Sequence, residues 1–277
     1  MYDILDFDAN FAAYCEKWMQ MNKNKFKNIE QMEDAMPEVY MRWLNSPAAF
    51  LEGVAPSMYF EKFNDPQMLV NWVTEYEAAK VPVPDLLLER IADLGKHSLY
   101  PLMRAARDSD NSVQTRMTAL NLLKEIDCGE EPMEICMDII DRREEEDEIA
   151  DVAAELMANM GAGVVKPILE RFEEVGDAAQ ETYLDILVNF PGDSRIYDLL
   201  MNAFLTHTEK IALYASFIGK LGDDRALDTL KKALNLTDIS YLDYLEIRNA
   251  VEMLGGVVET EREFAGDPYY ESLKGER

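Results

Sequence analysis

Histidine and cysteine are scarce in this 277-residue sequence, which contains two of the former and three of the latter. His97 and His207 lie far apart in the chain, in predicted turns, so convergent zinc ligands are not indicated. The odd number of cysteines (Cys15, Cys128 and Cys136) without paired spacing argues against a disulfide framework. Reduced and mostly buried thiols are the simplest interpretation.

Motifs of catalysis and nucleotide binding are also missing. Neither common glycine-rich phosphate loop occurs, and there is no Gly-x-Ser-x-Gly turn for a nucleophilic serine. Cys136 shares an apolar helix face with Met133, Met137 and Ile140, a pattern typical of a small core residue. The sequence therefore predicts a protein that is not an enzyme and has no cofactor or metal site.

Basic residues are few, with 27 Lys and Arg against 54 Asp and Glu, and the formal net charge is −27. Such a charge argues against nucleic acid and anionic membranes as partners. It favours either plain solubility or a basic protein partner. The first residues, MYDILDFDANF, lack the basic start of a signal peptide, and no apolar run approaches a membrane span. We therefore expect a soluble, cytoplasmic protein.

A repeat of about 32 residues organises most of the chain. Its copies align on the last apolar residue before each closing turn, and these anchors are separated by 32, 34, 30, 31 and 33 residues. The anchors are Leu94, Ile126, Met160, Phe190, Leu221 and Leu254. Positions three and seven residues before each anchor are apolar in every copy, which predicts a buried stripe on one helix face. A glycine follows each anchor within three residues and is expected to close the helix with a positive φ. A period near 32 indicates stacked helical pairs.

The last copy carries a family resemblance. LGDDRALDTLKKAL (221–234) followed by EIRNAVEMLGG (246–256) resembles a HEAT repeat, particularly the short bacterial kind named after phycobilin lyases. Ile247, Arg248 and Ala250 match the second helix of that pattern, whereas the copy ending at Ile126 has its arginine displaced to Arg116. The resemblance covers roughly residues 66–256. It implies an all-α fold, a right-handed α-solenoid of about six helical pairs, and says little about function.

The sequence pattern divides the chain into three predicted segments. Residues 1–65 form an N-terminal helical cap with helices near Ala9–Met21 and Ile29–Leu44, the second interrupted by Pro37. The cap is rich in aromatic residues, and all three tryptophans lie within the first 72 residues. An atypical end unit is expected of a solenoid, although a peptide-binding groove remains an alternative. Residues 66–256 hold the repeats, and residues 257–277 form a tail that either packs over the last repeat through aromatic side chains or is mobile.

Three classes of function are compatible with such a scaffold. The first is a protein–protein interaction scaffold that binds a protein or peptide on its concave helix surface. The second is an accessory enzyme or chaperone resembling the HEAT-like bilin lyases. The third, a DNA-repair enzyme resembling the HEAT-like alkylpurine glycosylases, requires a basic concave face, and the polar columns here are acidic or amide. We adopt the first.

The polar columns of the second helices define a candidate binding ridge. They lie five residues and one residue before each anchor, so they share a helix face. The predicted ridge comprises Glu89, Asp93, Asn121, Glu125, Glu155, Asn159, Asp185, Asn189, Ser216, Lys220 and Asn249, and Met253 ends the same column. This acidic and amide-rich strip suits a basic or polar segment, unless it is simply solvated surface.

The most acidic stretch is 130–190, with 18 acidic residues against 4 basic ones and a net charge of −14. Its densest part, 141–148, falls in a predicted turn. A solvated turn explains this density, because the spaced oxygen ligands and central glycine of a calcium loop are absent.

Overall fold

The structure, a computed structural model, describes residues 3–26, 28–126, 128–144, 147–258 and 262–275. This part of the chain is all-helical, with sixteen α-helices and no strand. Within the described residues no single helix is both long and apolar enough to cross a membrane. One pair of helical segments, Glu148–Ala158 and Ala162–Glu174, would be long and apolar enough if taken together, but the pair is bent by 114°. The prediction of an all-α fold is confirmed.

The chain groups into two compact units, an amino-terminal unit (Met1–Ile135) and a carboxyl-terminal unit (Cys136–Arg277). The division predicted at residues 65 and 256 was drawn from sequence pattern and stays a prediction. Each unit is described by itself below.

Seven helices and the start of an eighth build the amino-terminal unit. They are α1 (Phe7–Asn22), α2 (Ile29–Asp34), α3 (Met36–Leu44), α4 (Pro66–Ala79), α5 (Asp85–Asp93), α6 (Leu99–Arg107), α7 (Val113–Glu125) and α8 (Met133–Ile140). The helix expected over Ile29–Leu44 is split in two at Ala35, because Pro37 fits the first turn of a helix better than its interior. Proline suits the first position of a helix, which predicts that α5 begins at Pro84; Pro84 is instead the N-cap residue, and the helix begins at Asp85.

An aromatic cluster holds the amino-terminal unit together. Phe7 is buried among four rings, with centroid distances of 6.5 Å to Trp43, 5.5 Å to Phe50, 5.9 Å to Tyr59 and 5.5 Å to Phe60. Such pairs add stability beyond the apolar area that they bury. The predicted aromatic-rich region is therefore a packed core in this unit.

Hydrogen bonds from α4 secure the chain that precedes α1. The Tyr76 hydroxyl donates to the Leu5 carbonyl at 3.1 Å and accepts from the Leu5 amide at 3.2 Å. The Trp72 indole N–H donates to the Asp3 carbonyl at 3.3 Å. Burial raises the pKa of Tyr76 to about 12, so this hydroxyl keeps its proton and its donor role throughout the physiological range.

Eight further helices build the carboxyl-terminal unit. They are α9 (Glu148–Ala158), α10 (Val165–Arg171), α11 (Asp177–Leu187), α12 (Ser194–Thr206), α13 (Ile211–Leu221), α14 (Leu227–Ala233), α15 (Tyr241–Met253) and α16 (Pro268–Gly275). Helix α11 packs against α9, and α13 packs against both α12 and α15. Helices α12 and α13 of one predicted pair thus lie side by side, and second helices of neighbouring pairs also contact each other.

The predicted apolar stripe is buried at two of its three columns. All twelve residues three and seven positions before the anchors are buried: Leu87, Ile91, Ala119, Leu123, Ala153, Met157, Tyr183, Leu187, Tyr214, Ile218, Ile247 and Val251. The anchors themselves differ, since Ile126 and Leu221 are buried and the other four are half-buried. All but Leu221 lie just beyond the last residue of their helix, and Ile126 is the one of these five that is buried.

The predicted closing glycines all adopt a positive φ, namely Gly95, Gly129, Gly161, Gly192, Gly222 and Gly255. Gly222 shows the reason most directly, because it caps α13 with φ 75° and ψ 19°, and its amide donates to the Ile218 carbonyl at 3.3 Å. A side chain at this left-handed conformation would be strained. The predicted positive φ is thus confirmed at all six glycines, but the left-handed conformation expected with it is not adopted by Gly161, whose ψ is −169°.

The tail packs over the end of the carboxyl-terminal unit through aromatic rings, the first of the two alternatives left open. Phe264 is buried and lies 5.3 Å from Tyr241 and 5.0 Å from Tyr244, measured between ring centroids. The Asp267 carboxylate accepts hydrogen bonds from the backbone amides of Tyr241 and Tyr270, each at 3.0 Å. These bonds lower the pKa of Asp267.

A buried tyrosine ties three segments of this unit together. The Tyr183 hydroxyl donates to the Asp141 carboxylate at 2.5 Å, and the Arg171 guanidinium pairs with the same carboxylate at 3.0 Å. Burial is the main reason that the pKa of Tyr183 lies above its ordinary value, and the hydrogen bond to Asp141 adds to it. The network links the turn after α8 to α10 and α11.

Two successive repeats open with the same turn, in which an aspartate binds the arginine two residues later. The Asp193 carboxylate accepts from the Arg195 side chain at 2.6 and 3.0 Å and from its backbone amide at 3.0 Å, and Asp223 binds Arg225 in the same way. The Arg225 guanidinium also lies 3.9 Å from the centre of the Tyr197 ring. Side-chain hydrogen bonds from Arg195 lower the pKa of Asp193 to about 2.

We expect Arg195→Gln to raise the pKa of Asp193 toward about 3.9, the value of an unperturbed aspartate. Because the folded-state pKa lies below the unfolded one, the pair stabilises the fold above pH 4 or so, and this contribution is lost as the pH falls toward about 2. Carboxyl carbon NMR over an acid titration measures the shift. Asp267 is the internal control, since backbone amides hold its pKa low. An unchanged Asp193 titration would contradict the assignment.

Candidate partner-binding surface

Four of the predicted ridge residues lie in the amino-terminal unit. Helix α5 carries Glu89 and Asp93, and α7 carries Asn121 and Glu125; all four are exposed. Helices α5 and α7 contact each other in this unit. The ridge positions here are therefore open to solvent on neighbouring helices.

The remaining ridge residues lie on, or just after, four helices of the carboxyl-terminal unit. Glu155 is on α9 and Asn159 follows its last residue, Asp185 is on α11 and Asn189 lies two residues past its end, Ser216 and Lys220 are on α13, and Asn249 is on α15. Ser216 is half-buried and the others are exposed.

Five of these residues come together in one groove of about 680 Å³ that spans α9, α11 and α13. The five are Glu155, Asp185, Asn189, Ser216 and Lys220. Asn159 and Asn249 are not part of its lining. We call this concavity the α11 groove, after its central helix.

The floor of the α11 groove is apolar. It is formed by Ala154 and Ala158 from α9, Ile186 from α11, and Leu213 and Phe217 from α13. Ile186 and Phe217 are nearly buried, and Leu213 is about one-third exposed. An exposed leucine beside a phenylalanine in a concavity offers a place for an apolar side chain of another molecule.

The rim of the α11 groove is charged, with an excess of carboxylates. Four carboxylates (Asp151, Glu155, Glu181 and Asp185) and two cations (Arg143 and Lys220) line it. Arg143 pairs with Asp151 at 2.7 Å, and Lys220 with Asp185 at 2.9 Å. The pair of Lys220 with Asp185 is exposed, and exposed pairs of this kind contribute little to stability, whereas the Arg143 side chain is largely covered. The groove is therefore net negative.

Two ion pairs connect α11 with α13 and the residue that precedes it. Lys210, just before α13, pairs with Glu181, and Lys220, near the end of α13, pairs with Asp185. Tyr214 lies between them, with its hydroxyl 3.5 Å from a Glu181 oxygen. Burial is the main reason that the pKa of Tyr214 lies above its ordinary value, and the negative charge of Glu181 adds to it.

A glycine at the contact between α13 and α15 sets the position of α13. Gly219 lies where α13 meets α15, and a Cβ atom there would lie 3.2 Å from the Ala250 Cα and 3.0 Å from the Met253 sulfur. The absence of a side chain lets the two backbones approach closely. Helix α13 is thus held by α15 on one side while Ser216 and Lys220 face the groove.

Sequence reasoning missed several residues of the groove. Asp151 and Glu181 lie nine residues before their anchors, one helical turn before the predicted column at five residues. Extending the polar column by one turn would have predicted both residues. Arg143 comes from the turn before α9, where no helical pattern could have placed it. The apolar floor was also missed, because Leu213 and Ile186 fall outside the aligned apolar columns.

The histidines and two of the cysteines lie outside the α11 groove. No cluster of three or more His, Cys, Asp or Glu residues there is placed to hold a metal ion. His207 lies 3.4 Å from Glu209 at the chain segment before α13, and Cys128 and Cys136 are buried. The α11 groove offers surface contacts and ion pairs.

No protein-family model matches the sequence, and no curated protein is significantly similar to it. The fold and the groove define an all-helical protein with an acidic concave surface.

Proposed function

We propose that the chain is a non-enzymatic protein–protein interaction scaffold that binds a protein or peptide segment in the α11 groove. The observation that carries this proposal is the meeting of five predicted ridge residues around an apolar floor. An apolar centre with a polar, charged rim is the common anatomy of protein interfaces.

We further propose that the helical pairs form a right-handed α-solenoid of about six HEAT-like repeats with the aromatic cluster as its N-terminal cap. Support comes from the twelve buried stripe positions and from the six glycines with positive φ, which recur at the repeat period. In such a stack the second helices usually line the concave side, which would make the predicted ridge one continuous binding strip.

The excess of carboxylates favours a basic partner segment. Region 130–190 alone has a net charge of −14, and the whole chain has −27. Such a field attracts cationic segments and repels nucleic acid and anionic lipid. We propose a cytoplasmic protein that needs no cofactor.

Affinity capture from a lysate of the native host tests this function. The tagged chain is compared with the double variant Glu155→Lys/Asp185→Lys, and Glu173→Lys/Glu174→Lys serves as the matched control. The control makes the same charge change at two exposed residues outside the groove. We expect a partner that the wild type and the control recover equally and that the groove variant recovers at least about tenfold less, since like-charge contacts weaken an interface strongly.

Salt provides a second readout in the same experiment. Recovery should fall as ionic strength rises from about 0.05 M to about 0.5 M, because screening shortens the reach of the groove's field. Equal recovery by all three proteins, or recovery that does not depend on salt, would contradict a charge-assisted groove.

A further inference from the structure

A segment near the start of the chain is positively charged, whereas the α11 groove is net negative. We call residues 14–32 the basic hairpin; it comprises the second half of α1, the turn and most of α2, and Lys27 lies outside the described residues. It carries four lysines and two glutamates in a chain whose net charge is −27. It is therefore a basic island on an acidic protein.

The basic hairpin also has apolar side chains that its own unit does not bury. Phe7 is the one buried residue of α1, and none of the six residues of α2, all described, is buried. Met21 is 76% exposed and Ile29 is 73% exposed. Trp18 and Phe26, with ring centroids 5.6 Å apart, pack on each other and remain half-buried. These exposed apolar side chains are available for an intermolecular contact.

We propose that the basic hairpin of one copy docks in the α11 groove of a second copy. This rests on the proposed function, since it names the occupant of the same groove. Lys23 and Lys25, both exposed, supply cations for the carboxylates of the rim, and Met21 or Ile29 supplies an apolar side chain for the floor at Leu213 and Phe217. The basic hairpin and the α11 groove are therefore complementary both in charge and in apolar surface.

The net charge of −27 limits where this contact forms. Two copies repel each other at long range, but at about 0.15 M salt that repulsion is screened beyond about 8 Å, whereas charges in direct contact are screened less. Each copy has one hairpin and one groove, so the contact is heterologous. In a chain of copies, one end copy keeps an unoccupied groove and the other keeps an undocked hairpin. We therefore expect concentration-dependent association that does not stop at two copies.

Sedimentation velocity at about 0.15 M salt tests the proposal over concentrations from about 1 to about 500 µM, the range of weak homotypic contacts. The mass should rise above that of one 31.7 kDa chain as concentration increases. The hairpin variant Lys23→Glu/Lys25→Glu and the groove variant Glu155→Lys/Leu213→Lys should each remain monomeric. Lys231→Glu/Lys232→Glu, which reverses two exposed lysines on α14, is the matched control and should associate like the wild type.

Mixing the two defective variants gives the sharpest result. The hairpin variant keeps an intact groove and the groove variant keeps an intact hairpin, so an equimolar mixture should form a complex of two chains and no more. A contact between two hairpins, or between two grooves, would not be restored by mixing. Zero-length carboxyl–amine crosslinking of mixed ¹⁴N- and ¹⁵N-labelled wild-type chains should join Lys23 or Lys25 to Glu155 or Asp185 of differently labelled copies.

Monomeric wild type at every concentration overturns the proposal, as does a mixture that fails to associate or crosslinking confined to chains of one label. If the wild type is monomeric while the groove variant of the capture experiment still loses its partner, self-association is wrong and the proposed function stands.

Discussion

Phe7→Ala is expected to lower the free energy of unfolding of the amino-terminal unit by about 3–5 kcal/mol, the usual cost of removing a buried aromatic ring. Phe7 is 4% exposed and contacts four rings, so its loss opens a cavity that the stiff neighbouring rings cannot fill. Denaturant titration followed by circular dichroism measures the change.

Phe26→Ala is the matched control for this loss. Phe26 is half-buried and contacts one ring, that of Trp18, so the same truncation should cost well under half as much. If the two variants are equally destabilised, the cluster around Phe7 is not the core of its unit.

Leu187→Ala and Ile218→Ala should each cost about 2–5 kcal/mol, as large-to-small changes in a packed core do. Both side chains belong to the apolar column three residues before an anchor, and they are 0% and 2% exposed. Neighbouring helices fix the surrounding side chains, so the cavities cannot close fully.

Asn249→Ala is the comparison in the polar column. Its side chain is exposed on α15, and surface substitutions of this kind usually change stability by no more than about 0.5 kcal/mol. Equal losses in denaturant titrations of all three variants would show that the helical register derived from the repeat is wrong.

Helix positions followed well from the sequence, because local chemistry marks many of their ends. The apolar pattern predicts helices over Leu99–Arg107 and Val113–Ile126. The structure gives the first the same bounds, and α7 begins at Val113, where the Ser112 hydroxyl accepts from the Thr115 amide at 3.1 Å. Some helices end earlier than the pattern predicts. Apolar periodicity predicts helices over 133–143 and 165–175, but the first ends at Ile140, and the second ends at Arg171 and continues as a short 3₁₀ turn. Glu173 and Glu174 just beyond Arg171 oppose the helix dipole, so apolar periodicity overestimates helix length there.

The groove could be predicted only in part. The exposure of the ridge followed from helical periodicity, since one face of each second helix had to be polar. Which ridge residues converge depends on how α9, α11 and α13 approach one another, and that depends on side-chain volumes on the opposite faces. Gly219 is an example, because nothing in the sequence showed that this glycine meets Ala250 of α15. The pairing of Arg143 with Asp151 likewise depends on the path of a turn.

All three tryptophans lie in the amino-terminal unit, so tryptophan fluorescence reports on that unit alone. Trp43 and Trp72 are buried in the amino-terminal unit and Trp18 is half-buried beside Phe26, whereas the carboxyl-terminal unit contains no tryptophan. Emission excited at the red edge of indole absorption therefore arises from Met1–Ile135 alone, while far-ultraviolet dichroism sums both units. A denaturation in which the emission and dichroism curves diverge would reveal units that unfold independently, without any label or engineered probe.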